Sequence, residues 1–250
     1  MKNKSRAARL GGVIFWLAVW QIAASFLNKS IILVTPAAAA KRLIELLFVP
    51  DFYRTAGNSF IRISAGFFAG AAGGIILASL SAAFSVARAL ITPLMSAVKS
   101  VPVASFVILA LFWMKSSALS VFVSFLIVLP VFYGAVYEGI CSTDSKLIEA
   151  AEVFGMSMGK RIRYLYFPAV MPFLGSACTA ASGLAFKSGA AAEVIGQPDF
   201  TIGDMLYRSK IYLETADLFA WTAVIILLSI AFERIVRFML DIAYKYSKKI

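Results

Sequence analysis

Histidine is absent from these 250 residues, cysteine occurs twice, and the 13 acidic residues are far outnumbered by the 24 basic ones. With no imidazole and two thiols, no structural zinc site is expected. Cys141 lies at the end of one apolar run and Cys178 inside the next, so the pair does not suggest a disulfide. Charged residues make up only 15% of the chain, against about a quarter in a soluble domain. No polar stretch is long enough to form a separate soluble domain, and the whole chain, 1–250, reads as one membrane unit. The alternating pattern of a membrane barrel is also missing, which leaves helices to satisfy the backbone in lipid. No paired carboxylates or metal-binding cluster occur within the apolar runs, which counts against an intramembrane protease or other enzyme. No strong repeat relates the two halves, which counts against a secondary carrier built from inverted repeats.

Hydrophobic residues, at 61%, and a mean hydropathy of +0.85 are what the chain has in place of charge. Six apolar runs have the length of a membrane-crossing helix: Leu10–Leu27, Phe60–Phe84, Leu90–Trp113, Ala118–Ile140, Val170–Val194 and Leu218–Leu240. Lys2, Lys4, Arg6 and Arg9 precede the first, as in a signal peptide, but that run is longer than a signal core and is expected to remain as a helix. Thirteen Lys and Arg fall on the N-terminal side of the membrane, including Arg88, Lys146, Lys160, Arg161, Arg163 and Lys248; seven fall on the other, including Lys29, Lys41, Arg42 and Arg208. That asymmetry places both termini, and the 142–168 loop, in the cytoplasm. The net charge of +11 then suits anionic lipid, whereas scattered basic residues do not make a nucleic-acid face. In the outer segment, Thr35-Pro36 signals a helix start, and Ala37–Phe48 reads as a short interfacial helix.

Two runs carry ridges of small residues at four-residue spacing, where helix backbones can approach closely. Arg62, Gly66, Gly70, Gly74 and Ala78 form one, read as packing within the bundle; Gly175, Thr179 and Gly183 form the other, completed by Lys187. Charges at membrane depth are costly and point to function. Lys99, Lys187 and Glu193 are the instances of interest. Lys187 is open to three readings: lining a path and attracting an anion, pairing with a carboxylate of a partner subunit, or snorkelling. Glu193 reads as a salt bridge or loop anchor, and Arg62 and Arg234 as interfacial anchors.

Several motifs are decoys. Gly155 to Arg161 has three residues between its glycines where a phosphate-binding loop has four, and an Arg where Ser or Thr follows the Lys. The chain therefore has no nucleotide site of its own. Ser96-x-x-Lys99 and Ser157-x-x-Lys160 lack the companion motifs of acyl enzymes. The loop itself reads physically as two short helices. Ser142, Thr143 and Asp144 offer N-caps, Gly155 a C-terminal stop, and Ser157 the cap of a second helix running to about Pro168. The result is a compact knob with an apolar side (Leu147, Ile148, Ala151) and a charged side (Glu149, Glu152, Lys160, Arg161, Arg163).

Glu149-Ala150-Ala151, then Gly155, Leu165 and Phe167-Pro168, resembles the EAA loop of bacterial ABC-importer permeases: Glu-Ala-Ala, three residues, Gly, nine residues, Ile, one residue, Leu-Pro. Ser59 to Phe67 and Ala192-Glu193-Val194-Ile195-Gly196 are similar to segments of the nitrate, sulfonate, taurine and thiamine-precursor subfamily. Met114-Lys115 and Phe186-Lys187 depart from it, where it often has Phe-Gly and a Trp-containing pair. The resemblance runs from about Leu33 onward. It implies an all-α membrane protein with six transmembrane helices and the type I importer permease (MetI-like) fold, in the bacterial inner membrane. It also implies a non-catalytic subunit that works with a second copy of itself, an extracytoplasmic binding protein, and ABC ATPase subunits that bind the ATP and Mg. Glu149, Ala150, Ala151 and Gly155 are then the ATPase contact, with Pro168 as hinge. The path is expected along the third to fifth runs, with Lys99, Ser182, Phe186, Lys187 and Glu193 as candidates. A permease of another branch, such as the methionine type, and a stand-alone channel or carrier are the alternatives.

Overall fold

The structure, a computed structural model, describes the backbone of residues 2–27 and 31–248, and the side chains of 11–27, 31–242, 244 and 245. Of the orientation charges, Lys2, Lys4, Arg6, Arg9, Lys29, Lys248 and Lys249 lie outside the described side chains. Among the described residues the regular elements are all helical. In chain order they are α1 (Lys2–Leu27), α2 (Pro36–Leu46), α3 (Pro50–Ala83), α4 (Ser85–Ser100), α5 (Val103–Ala110), α6 (Ser116–Cys141), α7 (Ser145–Val153), α8 (Met158–Arg161), α9 (Phe167–Gly196), α10 (Ile202–Ile211) and α11 (Thr215–Lys248). A wide π turn, Ile162–Tyr166, joins α8 to α9.

Helices cover most of each of the six apolar runs, but their ends do not coincide with the ends of the runs. α3 begins at Pro50, ten residues before the apolar stretch, with Pro at its first turn and Asp51 beside its N-terminus. Hydropathy marks what lipid tolerates; capping marks where the helix begins. Among the described residues three helical stretches are long and apolar enough to cross a membrane: Pro50–Ala83, Ser116–Cys141 and Met158–Gly196. The third run, Leu90–Trp113, is not the single helix expected. α4 and α5 meet at 98° across Val101-Pro102, and if that bent pair is one crossing the number rises to four. Pro102 has no N–H to give, and its ring drives Val101 into the extended region (φ −78°, ψ 130°).

The centre is a three-helix core in which α6 packs along both α3 and α9. A Cβ at Gly66 would fall 2.3 Å from the Val121 carbonyl oxygen, one at Gly70 2.7 Å from that of Phe125, and one at Gly74 2.6 Å from that of Leu129. Both helices step by four, so the α3 ridge lies directly on the backbone of α6, as packing within the bundle requires. Beside it Phe60, Phe67, Phe186 and Phe232 interlock, the closest pair (Phe67–Phe232) with ring centres 4.9 Å apart. The second ridge behaves differently. Gly175 and Gly183 of α9 meet nothing within 4 Å, and the close approach falls instead on Gly189, against Ile63 and Ser124.

α9 sets the polarity of the bundle. α7, α8 and the π turn lie at its first end; α10 packs at its last, together with the start of α3. At that second end Thr35 caps α2, accepting from the Ala38 N–H at 3.3 Å, and Arg42 forks onto Asp217 at the start of α11 (Nη2–Oδ2 3.0 Å). That contact raises the Arg42 pKa above its ordinary value. Trp20 of α1 donates to the Val34 carbonyl at 3.0 Å.

Candidate coupling and translocation sites

The knob is built by two caps and one arginine. Asp144 caps α7, its carboxylate accepting from the Lys146 N–H at 2.9 Å; Ser142 instead bonds back to the Gly139 carbonyl. α7 closes in a Schellman turn: Gly155 N–H donates to Glu152 O at 3.0 Å and Met156 N–H to Ala151 O at 2.8 Å. The turn requires a left-handed residue, and Gly155 supplies it with φ 63°. Arg161 then ties the turn together, donating to the Met156 carbonyl and pairing with Glu152 at 2.8 Å. Ser157 stands at the start of α8 without a side-chain capping bond.

The second short helix does not end near Pro168. The chain winds through the π turn directly into α9, with the Phe167 N–H reaching back to the Ile162 carbonyl. Pro168 sits in the first turn of α9. A proline ring collides with the carbonyl four residues back in a regular helix, and a widened turn just before it relieves that collision. The widened turn thus lies directly before Pro168, the hinge position read from the sequence.

Glu149, Ala150 and Gly155 are exposed, whereas Ala151 is buried. The apolar side drawn from the sequence is half right: Ala151 turns inward and Ile148 partly so, but Leu147 faces out. Sequence reading also missed the most exposed apolar residues of the knob, Val153 (84%) and Phe154 (86%). Their signal was available, since both fall where the Gly155 stop frees the last helical residues from the bundle. The exposed knob thus offers the carboxylates of Glu149 and Glu152, small residues and an apolar tip, together suited to docking on another protein.

The five path candidates separate into two groups. Ser182 is fully buried and bonded to the Cys178 carbonyl at 2.6 Å. Phe186 is a core residue, 1% exposed, and Glu193 is wholly enclosed. Ser182 and Glu193 consequently line no open surface of the chain. Lys99 is exposed in the last turn of α4, just before the bend, where a cation complements the helix dipole. Lys187 is exposed on the wall of a groove of about 480 Å³ between α9 and α11.

Glu193 is the anchor of α10. Its Oε2 accepts from Ser59 Oγ at 2.7 Å and from the Gly203 N–H at 3.3 Å, while Ser59 Oγ accepts from the Ile202 N–H at 2.9 Å. Thr201 Oγ1 accepts from the Asp204 N–H at 3.3 Å. The first three N–H groups of α10 are thereby satisfied by side chains from α9, α3 and the preceding loop. Gly203 permits the approach: a Cβ there would lie 2.2 Å from that of Glu193. Of the two roles read for Glu193, this geometry is a loop anchor.

Helices of membrane-crossing length surround a close-packed core, with an exposed knob at one end and the side-chain-capped α10 at the other. Residues 70–245 match the family of binding-protein-dependent transport system inner membrane components, and the chain belongs to that family. Its relatives include proteins named as probable ABC transporter permeases in Brucella melitensis biotype 1 (25% identical over 209 residues, 83% of this chain and 85% of the relative) and Brucella abortus strain 2308 (25%, with 83% of each covered). Another, from Bacillus subtilis strain 168, is named as an aliphatic sulfonates transport permease, SsuC (23% identical over 208 residues, 82% of this chain and 74% of the relative).

Proposed function

We propose that this chain is the membrane subunit of an ATP-driven importer, carrying six crossings in the MetI-like arrangement with both termini cytoplasmic. α1, α3, the α4–α5 pair, α6, α9 and α11 supply the crossings. The α7–α8 knob docks on a separate ABC ATPase, which binds the ATP and Mg, and this chain performs no chemistry. Glu149, Ala150 and Gly155 make the contact, Ala151 holds α7 down, and the π turn before Pro168 passes the movement into α9. Two copies form the path, and a binding protein delivers solute at the α2–α10 end. The solute is a small organic or anionic molecule, a reading supported by the sulfonate relative and by Lys187.

The single observation that carries this is the knob: a Schellman turn at Gly155, stapled by Arg161, presenting Val153 and Phe154 to solvent with nothing among the described residues to cover them. The rival, a stand-alone channel or carrier, gives that apolar tip no partner. A mild-detergent pull-down of the tagged chain from its native membrane, read by mass spectrometry, separates them. Capture of an ATPase with nucleotide-binding motifs is expected. Recovery of the chain alone, moving solute in liposomes without ATP, would establish the rival.

A further inference from the structure

The end of the bundle that carries α2 and α10 holds a second cavity, of about 320 Å³, which shares no lining residue with the α9–α11 groove. Four carboxylates line it: Asp51, Asp199, Asp204 and Asp217. Asp51, Asp204 and Asp217 each stand in the first turn of a helix, where the backbone field favours the ionised form. The cations beside them fall short of that charge. Arg42 forks onto Asp217 and is shared with Glu45 at 3.1 Å. Arg208 serves two acids, donating to Asp204 Oδ1 at 3.0 Å and standing 4.0 Å from Asp199. Arg54 lies over the Phe200 ring, 3.9 Å from its centre. Among the described residues Asp51 makes no ion pair or hydrogen bond.

Asp204 points to a ligand independently of that charge. It is 4% exposed, and its Oδ2 is enclosed without a hydrogen-bond donor among the described residues. Its own helix start has none to spare, because the Ile202, Gly203 and Asp204 N–H groups go to Ser59, Glu193 and Thr201. A buried carboxylate oxygen without a donor is costly, and this carboxylate borders a cavity. Much of the remaining wall is apolar, with Leu46, Phe52, Met205 and Trp221 in it, and the Phe52 and Trp221 rings stack with centres 5.2 Å apart. The carboxylates disfavour an anion. A small inorganic cation needs oxygen ligands gathered around it, and among the described residues no three acidic side chains are grouped to hold a metal ion. An ammonium group on a short alkyl chain suits both parts of the wall: N–H donors for the carboxylates and a body for the apolar side. We propose that this cavity is a binding site for a small primary alkylamine, its ammonium group on the Asp204 carboxylate with Asp51 adding to the attraction. The site goes beyond the importer reading and does not depend on it.

The test measures binding of radiolabelled n-butylamine to the full chain in nanodiscs of neutral phosphatidylcholine, against empty nanodiscs. Saturable binding is expected, weakened at least about tenfold in Asp204→Asn, as loss of a charge-assisted contact predicts, and less in Asp51→Asn. n-Pentylamine should compete; n-butanol, butyrate and calcium at the same concentration should not. Lys187→Met, which changes the other groove, should bind as wild type does. Absence of saturable binding by wild type would overturn the proposal, as would equal affinity in wild type and a folded Asp204→Asn. Displacement by calcium would overturn it by making this an inorganic-cation site, and loss of binding in Lys187→Met would overturn it by moving the amine to the α9–α11 groove. Size-exclusion and melting profiles report folding. If Asp204→Asn does not match wild type in them, Asp51→Asn decides, since Asp51 is exposed and unpaired among the described residues, and equal affinity there would overturn the site.

Discussion

Gly155 allows backbone strain and docking to be separated at one position. Its φ of 63° penalises any residue with a Cβ, by about 1–2 kcal/mol, and penalises Asn less. Yet a Cβ built there meets nothing within 4 Å among the described residues, so a side chain leaves the backbone into open space. Gly155→Ala and Gly155→Trp should therefore lose the same stability, lowering the melting point in detergent by a similar few degrees, with Gly155→Asn between them and wild type. The partner sees the three differently. An indole ring at the rim of the exposed turn, beside Phe154, would hold a docked ATPase away, while a methyl group or an amide changes the surface little. ATPase capture in the pull-down should thus be near wild type for Ala and Asn and lost for Trp, together with uptake. Capture by Gly155→Trp at the wild-type level would refute the docking reasoning. Equal loss with Ala and Trp would show that the shape of the turn matters and the surface does not.

Gly66→Ala or Gly74→Ala should cost about 1–3 kcal/mol by forcing α3 off the α6 backbone, whereas Gly175→Ala, facing open space, should leave the melting point within a degree or so. Glu193→Ala strands the Ser59 hydroxyl and the Gly203 N–H in a buried site, a loss of about 1–3 kcal/mol; hydrogen exchange at the α10 N-terminus should rise most. Gly203→Ala should loosen the same helix end, and unchanged exchange there in both variants would remove the anchor assignment. Arg42→Gln breaks a partly exposed fork and should cost on the order of 1 kcal/mol or less, shrinking further in high salt.

Much of the fold follows from local chemistry. Thr35-Pro36 starts α2, Asp144 starts α7 and Gly155 ends it as their residue types require. The ridge Gly66–Gly70–Gly74 is legible because glycines four apart on an apolar helix have one economical use. The break at Pro102 was within reach too, since the residue before a proline resists the helical region, but hydropathy averages over a break that changes direction without changing polarity. The π turn was not legible, because in the sequence Pro168 reads as the end of a short helix, whereas it belongs to the first turn of α9.

The candidate site divides in the same manner. The resemblance to the EAA loop marked Glu149 to Pro168, and local chemistry marked its caps and stop, since a turn and its caps depend on neighbours in sequence. Spacing could not say which charges of α9 face inward. Lys187 and Glu193 are six residues apart on one apolar helix; one lines an open groove and the other is sealed under α10. Helical periodicity separates their faces, but it does not say which face meets α3, α6 and α10 and which is left bare. The sequence by itself determined the class of helix, the knob and its stop. Only the tertiary structure decided the partners, because burial belongs to the contact between elements and is encoded in neither one alone.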